Sequence, residues 1–335
     1  MDTYTIPPPE TGSTIFTNEV WKAHNSPQSI ILSDGWTAIG AAAFYGAANL
    51  LTMHIPKSVK VIQDEAFRTA TSLKEVTFEE GSGLVYVGTA AFYGATSLRT
   101  IRIPETVNEI GMVAFSGATS LETFHIPKLV EILPHGMFMD STSLREITFD
   151  ADSLLKTIQL GAFSGATALT KIHIPAGVTD IENEAFGNTQ MLKEITFAPN
   201  SQISRIGYQA FKGSGLNTVV MGQPVLARLN AARRVSYMPP LSFGKNKFYG
   251  KDNVNIVSMA QQINTMHLIA KQTRPALPTH VTNKVGEILS GLTPKRSDLL
   301  KGGKPRTIKR GTRRMSRTRR TKKGNLKRRR TMKRK

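Results

Sequence analysis

Residues 103–121 read Ile-Pro-Glu-Thr-Val-Asn-Glu-Ile-Gly-Met-Val-Ala-Phe-Ser-Gly-Ala-Thr-Ser-Leu. The phenylalanine in this stretch, Phe115, is one of a series. Phe44, Phe67, Phe92, Phe115, Phe138, Phe163, Phe186 and Phe211 follow one another at intervals of 23 or 25 residues, and a leucine stands six residues after each of the first seven, from Leu50 to Leu192. In the eighth unit Leu216 arrives one residue early, as expected of an imperfect terminal copy. A fixed period of this length marks a tandem array whose units each form one supersecondary step.

Outward from Leu121, apolar residues come at plus three and plus five, Phe124 and Ile126. The other units repeat this with Met53 and Ile55, Val76 and Phe78, Ile101 and Ile103, Ile147 and Phe149, Ile172 and Ile174, Ile195 and Phe197, and Val219 and Met221. Alternation with period two predicts a short, half-buried strand. Ile30 and Leu32 occupy the same places ahead of Phe44, so the array is expected to begin near Ser29 and to hold nine rungs, about 40 Å of ladder. Where a strand ends in Ile-Pro, as at Ile103-Pro104, the next Phe is 12 residues on, and where it ends in Thr-Phe, as at Phe78, it is 14 on. The core positions Val107 and Ile110, or Leu84 and Val87, return to register afterwards, which places the two extra residues in a turn. Proline removes a backbone donor and suits a strand's end. The Ala-Phe pairs, such as Ala114-Phe115, are expected on a short helical turn that closes each unit. One unit alone has too little apolar surface to fold, but stacked units share a continuous core.

The phrase in residues 103–121 resembles the BspA-like class of leucine-rich repeats, over about residues 29–222. The resemblance implies an α/β repeat fold: a leucine-rich-repeat solenoid with a parallel β ladder of about nine rungs, followed by a small helical segment and a disordered basic tail. It implies a binding scaffold and no particular chemistry. Members often carry Cys three residues after the Phe, where this chain has Ala47, Ala70, Ala95, Ala118, Ser141, Ala166 and Thr189. The family includes bacterial and protozoan surface proteins that bind host proteins, and also many intracellular and large-DNA-virus proteins of unknown role. The pairing of repeats with a basic tail is similar to the large-DNA-virus or protist type.

Charge divides the 335 residues differently. The chain carries a net +20, yet residues 1–35 sum to −3, residues 36–222 to −4, residues 223–300 to +8 and residues 301–335 to +19. The expected organisation is an N-terminal extension or cap over 1–28, the solenoid over 29–222, a helical cap or adaptor over 223–300, and a Lys/Arg-rich tail over 301–335. In the adaptor, Ile256, Met259, Ile263, Met266 and Ala270 fall at helical spacing within residues 254–272, and Thr282 can cap a second helix carrying Val285, Ile288 and Leu289. The tail has almost no apolar content, which predicts disorder. With no cysteine, disulfides, Cys-ligated zinc and a thiol nucleophile are excluded. The first twenty residues hold Asp2, Glu10 and Glu19 but no Lys or Arg, and no window is apolar enough for a membrane helix. An intracellular place, nuclear or cytoplasmic, in a host cell or virion, is the expectation.

No phosphate-loop, dinucleotide, zinc-protease or nucleophile-elbow motif is present, so no catalytic residue, cofactor or metal site is assigned and the chain reads as a non-enzyme. The candidate binding residues stand on the strand face turned away from the core: His54, Glu75, Thr77, Arg102, His125, Glu146, Thr148, Lys171, His173, Glu194 and Thr196. Three histidines in one ladder invite a metal reading, but His125 and His173 lie two rungs apart, so about 10 Å separates their backbones. The alternatives are a solvated polar face and a protein-binding face, with Tyr45 and Tyr93 as a second patch elsewhere. In the tail, Arg313, Arg314, Arg317, Arg319, Arg320, Lys322, Lys323, Lys327, Arg328, Arg329, Arg330, Lys333, Arg334 and Lys335 form a polycation suited to phosphate, and no aromatic follows residue 250 to stack on bases. Sequence-independent nucleic-acid binding, an import receptor, an anionic membrane and simple solubilisation are the readings left open, the membrane least favoured. Ser316, after Arg313-Arg314-Met315, sits where a basophilic kinase acts, and its phosphorylation would weaken phosphate contacts. The leading reading is a scaffold that holds a protein partner on its solenoid and nucleic acid on its tail. A surface adhesin and a membrane-associated scaffold are the alternatives.

Overall fold

The computed structural model describes residues 3–10, 13–235 and 239–263. These fall in the first of two units, Met1–Gln272; the second, Thr273–Lys335, lies outside the described residues, and with it the proposed Thr282 helix and the whole basic stretch.

Each repeat contributes a front strand, a two-residue back strand and a turn that carries the phenylalanine. The front strands pair in parallel and in register, so that Thr52, Glu75 and Thr100 lie side by side, and likewise Lys171, Glu194 and Thr218. The alternation seen in sequence becomes burial: Met53 and Ile55 are buried while Thr52 and His54 are half-buried on the outer face. Back strands such as Val61–Ile62, Tyr86–Val87 and Glu109–Ile110 pair in a second parallel ladder. The two repeat lengths differ at one corner. In the short form the carbonyl of Pro104 accepts the Val107 N–H at 3.0 Å, whereas in the long form Glu79 accepts from the Ser82 N–H at 3.0 Å and the Ser82 hydroxyl accepts from the Leu84 N–H at 3.4 Å.

The turn bearing Ala-Phe is not helical, which corrects the expectation. The residues two before and two after the Phe have positive φ in seven successive repeats, as at Val113 (49°) and Gly117 (69°) around Phe115. That conformation turns alternate N–H groups toward the next rung. Phe44, Phe67 and Phe92 donate to the carbonyls of Ala66, Ala91 and Ala114 at 2.7, 2.7 and 2.8 Å, so the turn column is a third hydrogen-bonded ladder. Helical residues would direct those donors back into their own turn.

The rings form one stack. Phe44, Phe67 and Phe92 have centroids 4.9 Å apart at 7° and 4°, the spacing of the rungs that carry them. The stack extends past the recognised repeats at both ends, to Phe16 on Phe44 (5.1 Å) and to Phe248 on Phe211 (5.5 Å). The front ladder extends too. Thr3–Ile6 pairs with Ser29–Leu32, and Lys251–Ser258 pairs with Thr218–Met221, so a flanking strand adds to the nine rungs at each end. Residues 254–258 are therefore strand, not the expected helix; only residues 259–263 are helical, and the remainder of that expectation, to residue 272, lies outside the described residues. The pairing of Val254 and Ile256 with the sheet edge outweighs their helical spacing, because burying them completes the last rung.

Two helices close the ends. α1 (Asn18–Ala23) buries Trp21 edge-on against Phe44. α2 (Gln223–Val235) starts with Pro224 in its first turn, where the missing N–H costs nothing, and buries Val225, Leu226 and Leu229. Asn230 of α2 donates to and accepts from the Leu241 backbone at 2.8 and 2.6 Å, tying down the hairpin of Gly244–Phe248 and Lys251–Ser258.

Candidate functional site

All eleven candidate residues of the polar ladder lie on the front sheet or at a strand end, turned away from the core. Register brings them together in pairs: His54 Nδ1 and Thr77 Oγ1 are 2.9 Å apart, His125 Nδ1 and Thr148 Oγ1 also 2.9 Å, and Lys171 stands directly opposite Glu194. Two shallow hollows result. One, of about 550 Å³, is lined by Glu75, Thr77, Arg102, His125 and Thr148; the other, of about 650 Å³, by Arg145, Glu146, Lys171, His173, Glu194 and Thr196. Arg145 is in turn paired with Glu122 at 2.6 Å, so the face mixes both signs of charge at short range.

His173 keeps an exposed edge, yet the protein around it desolvates the imidazole enough to hold its pKa below the usual histidine range. The exposed edge and the lowered pKa are compatible, because solvation of the charged ring depends on the whole surrounding volume and not only on the atoms that water touches.

The front sheet's rim carries an arrangement that the sequence reading missed. His125 Nε2 faces two carboxylates from the neighbouring rungs, Glu105 Oε1 at 3.4 Å and Asp150 Oδ2 at 3.7 Å, and the three ligand atoms lie within 4.8 Å of one another. His125 and His173 stand two rungs apart along the strand centres, whereas the acids near His125 come from the corners of the neighbouring rungs. Lys128, close by, bonds Asp152 at 2.5 Å instead; that contact raises the lysine's pKa and lowers the aspartate's.

Tyr45 and Tyr93 lie on the turn column, with the Arg68 guanidinium between them at 5.9 and 4.9 Å from the ring centroids. Arg68 also donates to Glu65 at 2.9 Å. This is a compact second patch, away from the front sheet. Among the described residues, no helix is long and apolar enough to cross a membrane.

The repeat geometry agrees with the comparison to known proteins. The profile of the BspA type leucine rich repeat region, in 6 copies, matches residues 9–122 and 109–228. The chain belongs to that family. No enzyme family is indicated for it. No curated protein matches it. Among solved structures, a leucine-rich repeat protein from Bacteroides ovatus is 24% identical with a TM-score of 0.50, over 56% of this chain and 47% of that one. A leucine rich cell surface protein from Faecalibacterium prausnitzii is 28% identical with a TM-score of 0.47, over 57% of this chain and 60% of that one. The pneumococcal vaccine antigen PcpA is 20% identical with a TM-score of 0.35, over 61% of this chain and 57% of that one. This BspA-type chain thus spans roughly half the length of these three solved structures.

Proposed function

We propose that this chain is a non-enzymatic scaffold that holds a protein partner on its front sheet, while the stretch of residues 301–335 binds nucleic-acid phosphate, or an import receptor, without reading sequence. The observation that carries the first half is the front face itself. Rung after rung presents Thr, His, Glu, Lys and Arg side chains from a stack of parallel strands, with opposite charges in register, as at Lys171 and Glu194. Such a face offers many polar contacts at little ordering cost, which is how repeat proteins take up partners. Family membership supports the reading, since leucine-rich repeats serve mainly as interaction scaffolds. The second half rests on the +19 of residues 301–335. Each lysine or arginine that meets a phosphate releases counterions, so binding should fall steeply with salt.

Both halves are testable. A photo-crosslinking residue at Thr148, on the front sheet, should yield a partner adduct in the protein's own cell extract, and one at exposed Tyr208, off that sheet, should not. Equal labelling from both positions would reject the front face. Full-length protein should bind unrelated DNA and RNA with a steep salt slope, and a 1–300 truncation should not; equal binding by the two would remove the tail from the account.

A further inference from the structure

We propose that Glu105, His125 and Asp150 form a divalent-cation site of the zinc type. The case starts from a comparison inside the chain. Three repeats earlier, Asp34, His54 and Glu79 stand at the same three positions, and His54 makes the same 2.9 Å contact to a threonine hydroxyl. There the Lys57 ammonium lies between the acids, 3.7 Å from Asp34 and 2.8 Å from Glu79, and is the cation of that arrangement. The equivalent of Lys57 is Lys128. It is drawn instead to Asp152, whose counterpart in the earlier repeat is Gly81. One acidic residue in the longer turn has therefore pulled the lysine aside and left two carboxylates facing an imidazole.

The geometry suits an ion. A tetrahedral zinc with bonds of about 2.1 Å holds its ligands about 3.4 Å apart, and the His125 Nε2 contacts are 3.4 and 3.7 Å. The supporting contacts are in place as well. With Nε2 as ligand, the proton resides on Nδ1 and is donated to Thr148 Oγ1 at 2.9 Å, which fixes the ring's tautomer and orientation. Glu105 accepts the Lys128 backbone N–H at 3.3 Å through its other oxygen, Oε2. Two carboxylates and a neutral imidazole balance a dication, and the exposed side of the site leaves a position open to water or to a partner's side chain.

Zinc chloride with the full chain, followed by equilibrium dialysis, tests this. The expected result is one equivalent bound, lost in His125→Gln and in Asp150→Asn, with far-ultraviolet circular dichroism unchanged. Asp152→Gly is the discriminating variant, because it alters no ligand. Freed from Asp152, Lys128 should move between the acids as Lys57 does and weaken zinc binding at least about tenfold, the scale of outer-shell effects on metal sites. The visible absorption of cobalt(II) should report the same site, with one nitrogen ligand that disappears in His125→Gln. Absence of stoichiometric binding would overturn the site. Unchanged binding in His125→Gln or in Asp152→Gly would overturn it equally.

Discussion

Val113 sits at φ 49°, in the left-handed region, two residues before Phe115. The corresponding places in the next two repeats hold Gly136 and Gly161, also at positive φ. A β-branched side chain in that conformation is strained, while asparagine tolerates it. Val113→Asn should therefore stabilise the chain by about 1 kcal/mol, read as a higher urea midpoint with an unchanged slope. An unchanged or lower midpoint would mean that the valine's packing over Gly136 offsets its strain. His173 gives a second prediction at this scale. Its native pKa is lowered by desolvation, so the unfolded chain binds more protons below the ordinary histidine pKa. Its stabilising contribution is whole above that ordinary value of about 6.5 and is lost progressively as pH falls toward the native pKa. His173→Gln should flatten the acid limb of the stability curve below pH of about 6.5. A parallel curve for the variant would exclude His173 as a source of the pH dependence.

At the scale of elements, Phe124 interrupts the regularity of the array. Other rungs carry Met, Val or Ile at this core position, but Phe124 inserts edge-on between Phe115 and Phe138, 4.9 Å from each. The stack opens there to 5.8 Å, against 5.2 Å between Phe92 and Phe115. At the same step the regular pairing of both ladders breaks, between Thr100–Ile101 and Thr123–Ile126 in front and between Glu109–Ile110 and Ile132–Leu133 behind; the front ladder breaks once more, away from this ring, between Glu146–Phe149 and Lys171–Ile174. A side chain too thick for the rung spacing accounts for all three observations. Phe124→Ile should let the rungs close, and the amides of residues 123–125 should exchange with solvent more slowly. Faster exchange there would show the ring to be filling the step rather than forcing it open. The turn column shows the limit of reading elements locally. Ala-Phe flanked by glycines looks like a single helical turn, and only the donors demanded by the neighbouring rungs reveal that the column is a ladder.

For the whole molecule the ends matter most, since a stack of identical rungs exposes an apolar face wherever it stops. Phe248 closes one end. It is buried against Phe211, with Tyr249 edge-on at 4.9 Å and Arg233 of α2 5.0 Å from the Tyr249 ring. Phe248→Ala should cost about 3–5 kcal/mol, the range for buried aromatics, whereas Phe243→Ala at an exposed position should change stability by less than about 1 kcal/mol. Equal, small losses in both would mean that the cap is dispensable. The candidate face divides along similar lines. The eleven polar positions were legible because period two places every second residue on one face of a strand. The neighbours that give His125 its setting were not, because Glu105 and Asp150 come from different repeats and different corners. Phe16 and Phe248 escaped the periodic reading for the same reason, standing 28 and 37 residues from the nearest repeat phenylalanine instead of 23 or 25. α2 had a local signal in Pro224 and the spacing of Val225, Leu226 and Leu229, which the more conspicuous apolar spacing further on obscured. The sequence by itself determined the period, the core and the polar face, since these depend on contacts that recur at a fixed distance along the chain. Tertiary structure alone decided where the ladder starts and stops and which acid holds each lysine, because those choices depend on single contacts between rungs that no period encodes.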